Sequence, residues 1–233
     1  QNITATNLIV GDNTNGNITV DNITAANSNN IGTVTLDATG AGAAVFFQNN
    51  ASTFNALAVN ADSGITVSVD LATDTGALGL TSSASIIQNG KITSATNVNY
   101  DADATIGIND TITSAGTVSI DAAGTTTIAA AGDITSGGAV TFGAVQAGGL
   151  TTSGDIDTSD DDVTFTQAVT LAGNINIDTT GTAAGNILFS STIDTVGHDL
   201  TLDAGLAGNI TLAGTLTGSG TLTMAGGTKY SSD

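Results

Sequence analysis

The sequence predicts an all-β fold, a parallel β-helix (β-solenoid) of about ten coils of roughly 20–22 residues each. Three observations predict it. Words such as V-T-L, V-S-I, V-T-F and L-T-L alternate apolar and polar residues with period two, which puts an aliphatic pair inside and Thr or Ser outside. The words recur at coil spacing along the chain, and no helical period is sustained. Between them stand Gly, Asn, Asp, Ser and Ala-Gly, the residues that tolerate tight corners. A single short strand cannot bury its inner face. Coils stacked about 4.8 Å apart place like over like and close a continuous aliphatic column, a rod roughly 50 Å long.

The first 91 residues are the less regular coils. "NITVDNITAANSNNIGTVTL" (Asn17 to Leu36), "FNALAVNADSGITVSVD" (Phe54 to Asp70) and "GALGLTSSASIIQNGKIT" (Gly76 to Thr93) keep the alternation with longer corners. Regular coils follow over 92–224. Their words start at Ile92 ("ITSATNVNY"), Ile112 ("ITSAGTVSI"), Ile134 ("ITSGGAVTF"), Ile156 ("IDTSDDDVTF"), Leu171 ("LAGNINI"), Ile193 ("IDTVGHDLTL") and Leu216 ("LTGSGTLTM"), in steps of 20, 22, 22, 15, 22 and 23 residues. Across the two 22-residue steps Ile112, Val118, Ile120, Ile128 and Ile134 project onto Ile134, Val140, Phe142, Leu150 and Ile156. No linker interrupts the pattern, so 1–233 reads as one domain.

Composition supports a repeat. The 233 residues include 30 Gly, no Pro and 3% aromatics, unlike an ordinary globular core, while 40% hydrophobic residues are too many for a disordered tail. Without Pro, nearly every strand is free to pair on both sides. Without Cys there is no disulfide scaffold, thiolate metal site or redox centre.

The net charge of −19 comes from 21 acidic residues, all Asp, against Lys91 and Lys229. Nucleic-acid binding and anionic-membrane binding need a basic face and are excluded. The acidity favours solubility and association with cations. There is no 18-residue apolar run and no signal-peptide pattern, so no membrane insertion is expected. The opening Gln1 reads as a processed chain or a fragment.

"GNILFSSTIDTVGHDLTLDAGLAGNITLAGTL" (Gly185 to Leu216) resembles the degenerate repeats of filamentous-haemagglutinin-like exoproteins and related bacterial β-strand-repeat surface proteins. The resemblance covers Ile92 to Met224. It implies a right-handed parallel β-helix in an extracellular, cell-surface adhesin or fibre. The Asn-Pro motifs of that family's secretion domain are missing from this Pro-free chain, which leaves the export route open.

Chemical candidates are few. "GDIDTSDDDV" gathers Asp155, Asp157, Asp160, Asp161 and Asp162, and clustered carboxylates supply the oxygens Ca²⁺ wants. The EF-hand glycine and terminal acid are missing, as is the GGxGxD nonapeptide, so a Ca²⁺ site and a solvated acidic corner both stand. Asp101, Asp103 and Asp110 form a sparser set. His198, the one histidine, aligns with Asp161 in a corner and makes neither a zinc site nor a triad base without Cys or Glu. Sequons at Asn2, Asn17, Asn22, Asn50, Asn109 and Asn209 are no more than chance provides. The pairs Thr33/Thr35, Thr111/Thr113 and Thr215/Thr217 resemble ice-binding threonine rows.

Neither "QNITATNLIV" nor "GTKYSSD" resembles a solenoid cap. The expected function is therefore structural and non-enzymatic: an extracellular solenoid joining identical subunits head to tail in a fibre, or neighbouring segments in the shaft of a large adhesin. The alternative is a module binding glycans or cell surfaces, with Ca²⁺ as its cation. Ice binding and polysaccharide catalysis are the remote readings.

Overall fold

The computed structural model describes residues 3–143, 148–183, 185–226 and 230–231. The chain winds through three parallel sheets of 11, 10 and 9 strands, about ten turns of a β-solenoid. The first sheet runs from Ala5–Asp12 to Tyr230–Ser231, the second from Ile18–Val20 to Leu216–Thr217 and the third from Ser52–Phe54 to Leu222–Ala225. Consecutive strands lie in different sheets, and each strand pairs with those one turn before and after it. The words are therefore the faces of the coil. "ITLAGTLTGSGTLTM" supplies Ile210–Leu212 to the first sheet, Leu216–Thr217 to the second and Leu222–Ala225 to the third.

Parallel register places each inner residue over its counterpart. In the first sheet Leu78, Val98, Val118, Val140, Val163, Ile187 and Ile210 form one buried column. In the third, Leu71, Ile92, Ile112, Ile134, Ile156, Ile177 and Leu202 form another. Beside the first-sheet aliphatics, Phe142, Phe165 and Phe189 stack with ring centroids 5.0 and 4.4 Å apart and interplanar angles of 3° and 11°. Tyr100 and Gln88 are a polar pair enclosed in this core. The Tyr100 hydroxyl donates to Gln88 Oε1 at 3.2 Å, and Gln88 Nε2 donates to the carbonyls of Gly90, Asp110 and Thr111 at 3.1, 2.8 and 3.2 Å. Burial pushes the Tyr100 phenol far above its ordinary pKa.

Four sequence expectations need correction. The 15-residue step from Ile156 to Leu171 is no short coil, because Ile156 lies in the third sheet and Leu171, Ile193 and Leu216 in the second. The third-sheet partner of Ile156 is Ile177, a turn of 21 residues. Turn length varies more widely than 20–22, from 19 residues between Leu150 and Val169 to 27 between Ile18 and Val45. Leu150 faces Thr126, not Ile128, whose partner is Thr152. Corner 129–133 before Ile134 has two residues more than corner 153–155 before Ile156, so the total stays 22 while the intervening strand slips by two.

Hydroxyls are also not confined to the outside. Thr73, Ser94, Ser114, Ser136 and Thr158 form a buried column where the third sheet turns into the first. Their hydroxyls donate to corner carbonyls: Thr73 to Gly76 at 2.6 Å, Ser94 to Asn97 at 3.0 Å, Ser136 to Gly116 at 2.6 Å and Thr158 to Asp161 at 2.6 Å. A buried corner carbonyl needs a donor, and an inward Ser or Thr supplies it without a longer loop.

The N-terminal end has a partial cap that the sequence did not announce. The one-turn helix Ala25–Ser28 covers the free edge of Ser52–Phe54. Thr53 N–H donates to Ile23 O at 2.7 Å, and Ser28 Oγ donates to Thr53 O at 2.9 Å. The third sheet is closed there, while Ala5–Asp12 and Ile18–Val20 each lie at the end of their sheet.

Truncating the middle of the phenylalanine stack tests this packing. Phe165→Ala removes contacts on both sides and is expected to cost about 3–5 kcal/mol, read as a lower urea midpoint, with Phe165→Leu losing less.

Candidate functional site

Away from an apolar cleft at the N-terminal end the core is closed, so polar chemistry belongs to outward side chains and corners. At the entry to the third sheet, Asx side chains tie several coils to the next. Asp70 Oδ1 accepts the Lys91 amide at 3.1 Å, Asp133 Oδ1 the Asp155 amide at 2.8 Å and Asp155 Oδ1 the Asn176 amide at 2.7 Å. Asn174 Oδ1 accepts from Asp199 N–H, and Asp199 Oδ1 from Thr221 N–H, both at 2.9 Å. A second ladder stands at the entry to the first sheet. Asp162 Oδ1 accepts both the backbone and side-chain amides of Asn186 at 2.8 Å, and Asn186 Oδ1 accepts both from Asn209 at 3.0 Å. These corner carboxylates act as intercoil caps for backbone N–H groups that would otherwise lack partners.

The five candidate Ca²⁺ ligands fall on different parts of the coil. Asp155 is in the ladder just before the third-sheet strand Ile156–Thr158, and Asp157 points outward from that strand. Asp160 and Asp161 occupy the next corner, and Asp162 leads into the first sheet. Asp160 has φ +71°, which Asp tolerates better than most residues. Its Oδ1 accepts the Ala183 amide at 2.7 Å and its Oδ2 the Thr182 hydroxyl at 3.1 Å. Those bonds, the Ala183 amide first, hold its carboxyl below the ordinary value of 3.8. Asp161 contributes its carbonyl to Thr158.

The structure instead assembles a different acidic surface. Asp157, Asp178 and Asp203 stand in register on three successive rungs of the third sheet. With Asp133, Asp155, Thr135 and Asn176, the first two line a shallow groove of about 230 Å³. Asp133 and Asp178 escaped the sequence reading, although the shared "GDI" of Gly132–Ile134 and Gly154–Ile156 marks the corner ladder. Among the described residues, no three carboxylates or imidazoles converge in an arrangement that could hold a metal ion.

Other candidates disperse. Asp101 and Asp121 are in register on the first sheet, whereas Asp103 and Asp110 lie in two further corners. His198 is half-buried in the corner between the second and third sheets, not opposite Asp161, because its repeat word begins on the second sheet. The three threonine pairs belong to three different sheets and make no common face. Asn17, Asn22, Asn50 and Asn109 are exposed and Asn209 is half-buried, while Asn2 and Lys229 lie outside the described residues. At the N-terminal end an apolar cleft of about 440 Å³ is lined by Leu8, Val10, Ile18, Ile23, Ile31 and Phe54, among others. No described helix is long and apolar enough to cross a membrane.

Like charges held in register repel. Asp178→Asn is therefore expected to raise stability at low salt by about 0.2–1 kcal/mol, with the gain shrinking in 1 M salt as screening shortens to about 3 Å; paired thermal melts check this. The depressed Asp160 carboxyl gives a pH test. Its stabilisation is present above 3.8, the unfolded value, and is lost as pH falls through the lower folded value. Carboxyl-carbon NMR should find Asp160 titrating below an unperturbed Asp, and Asp160→Ala should remove its acid-sensitive share of stability.

No known protein family matches the sequence, and neither curated proteins nor solved structures include a significant match.

Proposed function

We propose that this chain is a structural, non-catalytic β-solenoid of an extracellular surface protein of the filamentous-haemagglutinin-like kind. It works as a stiff shaft whose ends join further coils, supplied by identical subunits in a fibre or by neighbouring segments of a large adhesin. The observation that carries this reading is the parallel register kept over about ten turns, in which every coil is both template and lid for the next. Edge strands continue that logic outward. Ala5–Asp12 and Ile18–Val20 offer edges at one end, and Leu216–Thr217, Leu222–Ala225 and Tyr230–Ser231 at the other. Apolar side chains mark both ends: Ile9 and Val10 at one, Leu216 and Met224 at the other. Unlike ends that pair do not close on themselves, so the product is linear.

The charge of −19 opposes association between copies, and salt relieves that opposition. Negative-stain electron microscopy over rising protein and salt concentration tests the fibre. Rods that lengthen by whole multiples are the expected result, and monodisperse short rods throughout would reject self-association.

A second reading draws on the groove beside Asp133, Asp155, Asp157 and Asp178. In it the acidic face, which has no preformed metal cage among the described residues, meets a glycan or host surface through Ca²⁺ that the glycan's own oxygens help to bind. Chelator-sensitive signals on a glycan array support that reading, and no signal with or without Ca²⁺ removes it.

A further inference from the structure

We propose that Asn15 is a modification site, a self-processing Asn-Gly corner that deamidates in the folded protein while the chain's other Asn-Gly pair is held inert. This goes beyond the shaft reading and does not depend on it. The sequence has two such pairs, Asn15-Gly16 and Asn89-Gly90. Glycine after asparagine leaves the backbone nitrogen unhindered, so the fold decides which pair reacts.

The two environments differ at each reacting atom. Asn15-Gly16 occupies the corner between strands Ala5–Asp12 and Ile18–Val20. Among the described residues nothing accepts a hydrogen bond from Gly16 N–H. Gly16 is exposed, and a Cβ built on it meets no atom within 4 Å, so the corner is open to solvent around this residue. The Asn15 Oδ1 is enclosed without a hydrogen-bond donor, so no donor holds that oxygen in place. At the second pair, Gly90 is buried and its N–H donates to Val67 O at 3.2 Å. Its added Cβ would lie 2.2 Å from the Val69 carbonyl carbon. The Asn89 Oδ1 is occupied by Asn109 Nδ2 at 2.8 Å. Reaction there first requires the coil to open.

The chemistry needs only water. Gly16 N loses its proton to solvent base and attacks Asn15 Cγ; the new C–N bond closes a five-membered succinimide and the side-chain nitrogen leaves as ammonia. Water then opens either ring carbonyl, giving aspartate or isoaspartate at position 15. Overall, one amide and one water become one carboxylic acid and one ammonia, with no change of oxidation state. The product adds a negative charge three residues from Asp12, whose Oδ1 already accepts Thr14 N–H at 2.7 Å. The isoaspartyl form also lengthens the main chain where the Asn15 carbonyl packs 2.2 Å from the position a Gly40 Cβ would take. The strand displaced by that lengthening is Ile18–Val20, at the N-terminal end of the second sheet.

The full chain is held at mildly alkaline pH and 37 °C, folded or in urea. Site-resolved mass spectrometry and isoaspartyl methyltransferase labelling follow both asparagines. Folded protein is expected to convert Asn15 about tenfold or more faster than Asn89, because Asn89 waits on local opening, whereas urea brings the two rates together. Equal rates in the folded protein, a faster Asn89, or an Asn15 that stays an amide after the unfolded chain has converted would overturn the assignment. Gly16→Ala places its methyl in empty space and keeps the fold by circular dichroism. It is expected to slow Asn15 several-fold, and an undiminished rate would exclude the succinimide route.

Discussion

Parallel hydrogen bonding between coils is the constraint from which the rest of this structure follows. Once Ile112 is paired with Ile134, and Ile134 with Ile156, most side chains on one turn meet their own kind on the next. Where a corner changes length, as before Ile134, unlike residues such as Thr126 and Leu150 face each other instead. Inside, that rule is favourable, because aliphatics stack into columns and three phenylalanine rings lie face over face. Outside, the same rule sets Asp157 over Asp178 and Asp178 over Asp203. Register does not distinguish a helpful repeat from a costly one. The chain accepts repulsion on one face in exchange for a core that needs few aromatics and no disulfide.

Corners carry the variation that strands cannot. Turn length changes between neighbouring coils, yet the aliphatic columns stay aligned because the additional residues lie between sheets. What makes those corners tolerable is polar satisfaction. Inward Ser and Thr hydroxyls bind corner carbonyls, and outward Asp and Asn side chains bind the amides of the next coil. Much of the acidity therefore has a structural use. Asp133, Asp155 and Asp199 each cap a neighbouring backbone N–H, so the exterior is a set of intercoil fasteners as well as a source of charge.

The two ends of the solenoid are not equivalent. At the N-terminal end the segment around Ala25–Ser28 closes the third sheet, leaving two sheets to present edges. A further coil joining there meets a ready template on two faces and a cap on the third. Any shaft or fibre built through this end thus has its polarity set by unlike surfaces, which fits a linear assembly and disfavours a symmetric pair.

Sequence alone determined the class of fold, because period-two alternation and recurring words report directly on strands that bury one face. Ile112, Ile134 and Ile156 announced their column through spacing and identity. It could not determine which face a word belongs to, since "ITS", "VTL" and "LTG" satisfy the same alternation on any sheet; Leu171 and His198 were misplaced for that reason. Nor could it separate the Asp residues that fasten coils from those that face one another, because Asp155 and Asp157 are two positions apart in the chain but have different partners. Those assignments depend on contacts about 20 residues away, where one residue more or less in a corner decides which side chains meet, and only the tertiary structure fixes that count.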